Sequence, residues 1–213
     1  CRYYMENDSF PEDLINQLQN ALNQMENIMG QKFGATENPL LVSIRSGARQ
    51  SMPGMMETIL NVGLTSKTIP GLIEKSKDER FVYDAYRRLI TMYADVVIEK
   101  AAGINPKDGE GIRGKLDKLM EEMKIRDGVI NDAELSAESL KALCNIYKST
   151  INKTLKSDFP EDPHAQLWGG ITAVFKSWNG KRAINYRNIE NIPHDWGTAV
   201  NIQAMVFGNM GNS

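Results

Sequence analysis

The stretch that most constrains the fold of this chain is the apolar run LLVSI at residues 40–44, which directly follows Asn38 and Pro39. A short apolar run bounded by a turn signal is typical of a buried β-strand. Residues 46–56 follow and are rich in Gly, Ser and Met, with neither a helical nor a strand period. We therefore predict a buried strand that runs into a loop, which requires a sheet in a chain whose other patterns are mostly helical.

Helical spacing of apolar residues dominates much of the remaining chain. Capping-box spacing at residues 9–12 predicts the start of a first helix, and Gly30 its end. Asp78 and Ser136 stand where further helices begin. Additional predicted segments are a helix ending at Gly128, a last helix through residues 167–178 and a strand at residues 199–207.

These segments together predict an α/β (α+β) fold. Its α/β part comprises residues 1–67 and 160–213, and a helical subdomain is inserted at residues 68–159. The strands at residues 40–44 and 199–207 are expected in one sheet.

Composition argues against several classes of function. The net charge is −2 and the pI is near 5.8, so no excess of Lys and Arg is available to neutralise nucleic-acid phosphates. No apolar run reaches the length of a membrane span. The only cysteines, Cys1 and Cys144, lack the spacing of a metal site, which favours a reducing cytoplasm. We interpret His164 and His194 as loop residues and expect no metal site in this chain.

The ends of the sequence are unusual. The chain begins at Cys1 without Met and ends at Ser213 directly after a strand-like run. We expect both ends to be cuts through a longer protein.

Arg45 and Arg49 are the candidate ligand-binding residues of the predicted loop. The guanidinium group presents a fixed fork of donors that matches two phosphate oxygens, and small residues let backbone amides approach a polyphosphate. The loop is not a Walker A motif, because no Gly-Lys-Ser/Thr follows. The alternative, which the pattern alone slightly favours, is that both arginines are ordinary strand-end charges and that the methionines fill the core.

The loop and four further segments carry a resemblance to a known family. They read SIRSGAR at 43–49, SMPGMMETILNVG at 51–63, YDAYRR at 83–88, WNGKRAI at 178–184 and DWGTAVNIQ at 195–203. In this order they resemble the pyruvate, phosphate dikinases, and the resemblance covers essentially the whole chain. It implies part of an ATP-grasp nucleotide-binding domain. The family interconverts ATP, phosphate and pyruvate with AMP, diphosphate and phosphoenolpyruvate through a phosphohistidine on a separate domain.

The resemblance also implies roles for individual residues. Arg45 would bind the ATP phosphates and act in catalysis, and Arg49 would be a second phosphate contact or a loop anchor. The flap over the nucleotide would consist of Gly54, Met55, Met56, Glu57 and Thr58. The adenine pocket would be lined by Gln203, Met205 and Val206.

Other parts of the family's active site fall outside this sequence. Its glycine-rich, lysine-bearing segment would precede Cys1, and its Mg²⁺-binding carboxylates would follow Ser213. We therefore expect ATP and Mg²⁺ as cofactors with the metal ligands outside this chain, weak ATP binding and no turnover by the chain alone. Expected partners are the phosphohistidine and pyruvate-binding domains of the same enzyme, which as a whole is expected to be a homodimer in the cytoplasm.

Three alternatives remain open. The chain could be part of a phosphoenolpyruvate synthase-like enzyme, part of an antibiotic-phosphorylating relative, or a non-catalytic helical docking module. ATP titration would distinguish the docking module from the enzymes, because a docking module should not bind ATP.

Four arginines are candidates for a face that docks the phosphohistidine domain, although we favour their interpretation as solvated or locally paired charges. These arginines are Arg87, Arg88, Arg182 and Arg187.

Overall fold

The computed structural model describes residues 1–104, 106–107 and 109–208. Its α-helices are α1 Arg2–Asn7, α2 Leu14–Met29, α3 Ile69–Ser76, α4 Glu79–Tyr93, α5 Ile112–Asp127, α6 Ala137–Leu155, α7 Pro163–Ser177 and α8 Lys181–Glu190. Its strands are β1 Lys32–Phe33, β2 Pro39–Leu40, β3 Val42–Gly47, β4 Thr58–Val62 and β5 Ala199–Ala204. A π-helix, Ala94–Lys100, continues α4, and 3₁₀ turns form at Asp132–Glu134 and His194–Trp196.

The main sheet has three antiparallel strands in the order β4-β3-β5, while β1 and β2 form a separate parallel pair. The prediction that the strands at residues 40–44 and 199–207 share one sheet is confirmed for residues 42–44 by the β3–β5 ladder, whereas Leu40 belongs to the separate β1–β2 pair. Three boundaries were predicted wrongly. The apolar run is divided between β2 and β3, β3 continues through Gly47 into the predicted loop, and β5 ends at Ala204. Cross-strand bonding to β5 and β4 holds residues 45–47 in the ladder, which the local sequence does not reveal.

Local capping explains why most predicted helices form. Gly30 ends α2 in the left-handed region at φ 61°, and the Asp78 carboxylate accepts a hydrogen bond from Phe81 N at 2.9 Å at the start of α4. The Ser136 hydroxyl accepts from Ser139 N at 3.1 Å and caps α6. The predicted start of the first helix, at residues 9–12, was wrong. Helix α2 begins at Leu14, after the N-cap Asp13.

His164 is not in a loop, contrary to the sequence interpretation. It lies in the first turn of α7, where the Asp162 carboxylate accepts hydrogen bonds from His164 N and Ala165 N. Pro163 occupies the first helical position, where its missing N–H costs nothing.

Helix α7 covers one face of the main sheet. A Cβ at Gly170 would lie only 2.4 Å from Ile44 Cδ1 and 3.1 Å from Ile59 Cδ1, so glycine sets the close approach of α7 to β3 and β4. One hydrophobic cluster joins these strands to α4, α6 and α7. The boundaries of the helical subdomain at residues 68–159 remain a prediction. Within the described ranges, the helices are too short or too polar to cross a membrane.

Candidate functional site

The face of the main sheet away from α7 is polar. Side chains alternate along a strand, so Ile44 faces α7 while Arg45 points to the opposite side. Residues paired across strands share a face, and Arg45 pairs with Thr58 on β4 and with Asn201 on β5. The next pair on this face joins Ser43 with Gln203. The fold thus brings together three of the residues predicted from the sequence, namely Arg45, Thr58 and Gln203.

Arg45 opens onto a cleft of about 380 Å³. Arg45 is the single charged residue of its lining, which otherwise consists of Ser46, Gly47, Ala48, Gln50, Ser51, Met52, Pro53, Gly54, Met56 and Thr58. The Arg45 side chain is exposed and has no hydrogen bond or ion pair within the described part of the chain. Its five N–H donors are therefore free to bind a ligand.

The loop beside Arg45 is tethered at two points. Met52 is buried against Trp178, Ala183 and Ile192 in a small second hydrophobic cluster. The Arg49 guanidinium lies 5.5 Å from the ring centroid of Trp196, within the range of a cation–π contact. Arg49 does not line the Arg45 cleft. Of the two roles considered for Arg49, this geometry favours the loop anchor.

The predicted flap at residues 54–58 separates two pockets. Gly54, Met56 and Thr58 line the Arg45 cleft, whereas Met55 and Glu57 line a second pocket. Gly54 has φ 73°, a left-handed conformation that glycine adopts without strain. Thr58 already belongs to β4, so the flap is continuous with the main sheet at its C-terminal end.

The predicted adenine-binding residues lie near the other end of β3. Met205 and Val206 line an apolar pocket of about 220 Å³ together with Leu41, and Met205 N donates to the Leu41 carbonyl at 2.8 Å. Gln203 does not line this pocket and is exposed on the polar face of the sheet. Leu41 and Arg45 are four residues apart, which corresponds to about 13 Å along an extended chain.

The sequence interpretation missed several residues near these clefts. Asn201 pairs directly with Arg45, and the polar alternation of Asn201 and Gln203 in an otherwise apolar strand was the available signal. The second pocket collects Lys100, Lys176 and Lys181 from separate helices. No sequence spacing relates these three positions, so pattern analysis had no means of grouping them.

The surface arginines fall into different environments. Arg87 and Arg88 both bind Asp84, at 2.7 and 2.8 Å, as expected of locally paired charges. Arg182 is exposed and contacts Glu57 at 3.3 Å. Arg187 is only 1% exposed, so its interpretation as a surface charge was wrong.

Metal ligands are not gathered in the described residues. Among them, no three His, Cys, Asp or Glu side chains lie close enough together to hold a metal ion. A metal ion held by three such side chains therefore has no site among the described residues.

Comparison with known proteins identifies the family. The family model described as "Pyruvate phosphate dikinase, AMP/ATP-binding domain" matches residues 1–212. The chain is 47% identical to the pyruvate, phosphate dikinase of Rhizobium meliloti (strain 1021) and 45% identical to that of Clostridium symbiosum, over 100% and 99% of its length. It is 44% identical over its full length to the chloroplastic pyruvate, phosphate dikinase 1 of Arabidopsis thaliana.

The chain spans 23% of the length of the first two relatives and 21% of the third. The family match, together with the mixed helices and small sheets, confirms the predicted ATP-grasp-type fold class. The chain belongs to the family of pyruvate phosphate dikinase AMP/ATP-binding domains.

Proposed function

We propose that this chain is the nucleotide-binding part of an enzyme that converts ATP, phosphate and pyruvate into AMP, diphosphate and phosphoenolpyruvate. One observation carries the proposal. Arg45 is exposed, has no hydrogen-bond or ion-pair partner in the described structure, and is the single charged residue that lines a cleft on the polar face of the sheet. In this proposal Arg45 binds the ATP phosphates, and Arg49 anchors the loop against Trp196. Gln203, Met205 and Val206 contact the adenine end.

Phosphoryl transfer depends mainly on positioning and on neutralising the charge of the transferred group. The Arg45 guanidinium supplies both, because its paired donors fix two phosphate oxygens in a defined orientation. The small residues Ser46, Gly47 and Ala48 let the backbone approach the same oxygens. Residues 54–58 close over the nucleotide and exclude water. Mg²⁺, when bound, supplies further charge neutralisation, and its ligands lie outside the described residues.

The remaining parts of the proposal concern the whole enzyme. The phosphohistidine and pyruvate-binding domains of the same protein receive and use the phosphoryl group, so the chain alone binds ATP weakly and forms no phosphoenolpyruvate. The complete enzyme is a cytoplasmic homodimer. Within this chain, residues 68–159 form the inserted helical subdomain, and residues 1–67 and 160–213 form the α/β part.

Substitution of Arg45 in the complete enzyme tests the proposal. Arg45→Ala is expected to lower turnover by about 100-fold, as the loss of one preorganised charge does. It should change the free energy of unfolding by less than about 1 kcal/mol, because the side chain is exposed. Arg45→Lys should recover little activity, since an ammonium group cannot replace the fork. Steady-state kinetics and thermal unfolding measure both effects.

Arg88→Ala is the matched control, because Arg88 is also exposed but binds Asp84 away from the cleft. Near-normal turnover of Arg45→Ala, or unfolding of that variant, would show that Arg45 is a structural residue at the strand. A complete lack of ATP binding by the intact enzyme would favour the docking-module alternative.

A further inference from the structure

Three methionines lie close together in the segment that borders the Arg45 cleft. Met52, Met55 and Met56 fall within five consecutive residues of a chain that has 11 methionines in all. Met52 is only 7% exposed and packs against Trp178. Met55 and Met56 pack against the same cluster but are only partly buried. The segment therefore carries two partly accessible thioethers beside a third that is shielded.

Met55 and Met56 line different pockets on the two sides of the segment. Met56 lines the Arg45 cleft of about 380 Å³, and Met55 lines a second pocket of about 200 Å³. Both volumes are well above the roughly 30 Å³ that one water occupies in the liquid, so a molecule as small as hydrogen peroxide fits in either pocket. Peroxide converts an accessible methionine thioether into a sulfoxide.

The two thiols of the chain are in different positions with respect to such an oxidant. Cys144 is 1% exposed, and burial raises the pKa of its thiol to about 12. It therefore does not form the thiolate that peroxide attacks at neutral pH. Cys1 is partly exposed, with its Sγ 3.7 Å from the Phe175 carbonyl oxygen, and is the thiol for which an experiment needs a control.

Each pocket also holds a cation that can bind the oxygen added by oxidation. Arg45, in the cleft lined by Met56, has no hydrogen bond or ion pair in the part of the chain that the structure describes. Lys181, in the pocket lined by Met55, likewise has none among the described residues. Charged donors form stronger hydrogen bonds than neutral ones. The surroundings of both methionines therefore stabilise a polar oxygen on the sulfur.

The apolar cluster has the opposite effect. In the reduced protein Met55 and Met56 pack against a cluster that consists of Met52, Trp178, Ala183 and Ile192. A sulfoxide left against these side chains without a donor would lose free energy of solvation. Oxidation should therefore move both side chains from the cluster towards the cations of the two pockets.

We propose that Met55 and Met56 form a reversible oxidation site through which peroxide closes the Arg45 cleft to nucleotide. The sulfur lone pair attacks one oxygen of hydrogen peroxide, an S–O bond forms and the O–O bond breaks. The thioether is oxidised by two electrons to the sulfoxide, and the peroxide is reduced to water as the proton of the attacked oxygen passes to the departing hydroxide. Methionine sulfoxide reductases reverse the step with two electrons from a thiol.

The added oxygens give the site its effect. The Met56 sulfoxide accepts from Arg45 and occupies donors that would otherwise bind phosphate, and the Met55 sulfoxide accepts from Lys181. The 54–58 segment is thereby released from the cluster around Trp178. The loss of nucleotide binding rests on the proposed function of Arg45, whereas the oxidation and the release of the segment do not.

Treatment of the complete enzyme with hydrogen peroxide, followed by peptide mass spectrometry, tests the site itself. Met55 and Met56 should each gain one oxygen at least about fivefold faster than the buried Met52 and Met120. Hydrogen exchange at the backbone amides of residues 48–58 should become faster after oxidation, because the segment leaves the cluster. Equal oxidation rates at the buried and partly buried methionines, or unchanged hydrogen exchange, would overturn the proposal.

ATP titration of the same enzyme tests the effect of oxidation. Peroxide should weaken ATP binding by about tenfold, and a methionine sulfoxide reductase with a thiol should restore it. The double variant Met55→Leu/Met56→Leu should stay within about twofold of its own untreated affinity, because leucine has no sulfur. Met5→Leu, which removes a methionine that is 37% exposed, and Cys1→Ser should remain as sensitive as the original. A response that persists in the double variant, or disappears in either control, would overturn the proposal.

Failure of the proposed function gives a different result. If the untreated enzyme does not bind ATP, the nucleotide role of Arg45 is wrong, while the sulfoxide map and the hydrogen exchange still decide whether the oxidation site exists. Met56→Gln adds an acceptor near Arg45 without any oxidant, so it should bind ATP about fivefold more weakly than Met56→Leu. Equal affinities of these two variants would exclude Arg45 as the partner of oxidised Met56.

Discussion

At the scale of single residues, Arg187 is a buried cation without a carboxylate partner in the described structure. Its guanidinium carbon lies 4.1 Å from the ring centroid of Trp178, its Nε donates to His194 Nδ1 at 3.0 Å, and its Nη1 donates to the Trp178 carbonyl. His194 Nε2 lies 2.9 Å from Asn188 Oδ1, so His194 carries its proton on Nε2 and accepts at Nδ1. Burial lowers the pKa of Arg187 from its ordinary value.

We predict that Arg187→Met destabilises the protein by about 2–4 kcal/mol, because it leaves the buried Trp178 carbonyl without its donor. Arg187→Lys should also destabilise it, since an ammonium group cannot stack on Trp178 and donate in two directions. Met52 packs against Trp178 in the same cluster, so nucleotide affinity should fall together with stability. Urea unfolding and nucleotide titration measure these effects, with Arg88→Met as the exposed control. A free energy of unfolding close to the original for Arg187→Met would contradict the prediction.

The arginines also show where prediction from sequence stops at this scale. Arg45 was identified because its loop has an unusual motif, and the sheet register then placed Thr58 and Gln203 beside it. Arg88 and Arg187 are equally polar in the sequence, yet one is exposed and the other is almost fully buried. Their difference arises from Trp178 and His194, which reach Arg187 only after the chain folds.

At the scale of elements, helices with local signals were predictable and elements set by tertiary contacts were not. Helices α2, α4 and α6 have glycine stops or side-chain caps within a few residues. Helix α8 was missed because Ala183 and Arg187 are its only buried residues, which leaves no apolar stripe. Strand β4 was missed because Asn61, at φ 61°, and Gly63 interrupt its short apolar pattern.

The packing of α7 on the sheet gives an element-scale prediction. Gly170→Val should destabilise the protein by about 1–3 kcal/mol, because the added carbons meet Ile44 and Ile59, both fully buried. It should also weaken nucleotide binding, since displacement of Ile44 shifts Arg45, its neighbour on β3. Ala165→Val provides the control, as Ala165 is exposed on the same helix. The measurements are the thermal unfolding midpoint and ATP affinity, and equal behaviour of the two variants would exclude the close-approach argument.

At the scale of the whole molecule, Glu161 joins segments that are far apart in sequence. One carboxylate oxygen, Oε2, accepts from Ser66 N at 2.7 Å and from the Ser66 hydroxyl at 3.0 Å. The other, Oε1, accepts from Tyr86 OH at 2.6 Å and from Lys148 Nζ at 2.9 Å. Tyr86 and Lys148 lie in α4 and α6, whereas Ser66 and Glu161 flank the proposed helical subdomain on either side. The carboxylate therefore links the helical and α/β parts at their proposed junction.

The titration of Glu161 follows from these contacts. Burial alone would raise its pKa, but the hydrogen bonds from Tyr86, Ser66 and Lys148 outweigh burial and lower the pKa from its ordinary value of 4.5. Burial likewise raises the pKa of Tyr86, which keeps the phenol protonated as a donor. The pKa of Glu161 is lower in the folded state than in the unfolded state. Its charged carboxylate therefore contributes fully to the free energy of unfolding above about pH 4.5, and this contribution disappears as pH falls through the folded-state pKa.

We therefore predict that Glu161→Gln lowers the free energy of unfolding by about 1–3 kcal/mol at pH 7, where the original side chain is charged and accepts from all its partners. The amide cannot form the ion pair with Lys148 and has only one acceptor oxygen, so Tyr86 and Ser66 compete for it. The difference between the two proteins should shrink as pH falls below about 4.5, because the original carboxylate then takes up a proton. Urea unfolding from pH 7 to pH 3 measures this, with Glu122→Gln as an exposed control on α5. A difference that stays constant over this range would mean that Glu161 stabilises the junction through its shape and not through its charge.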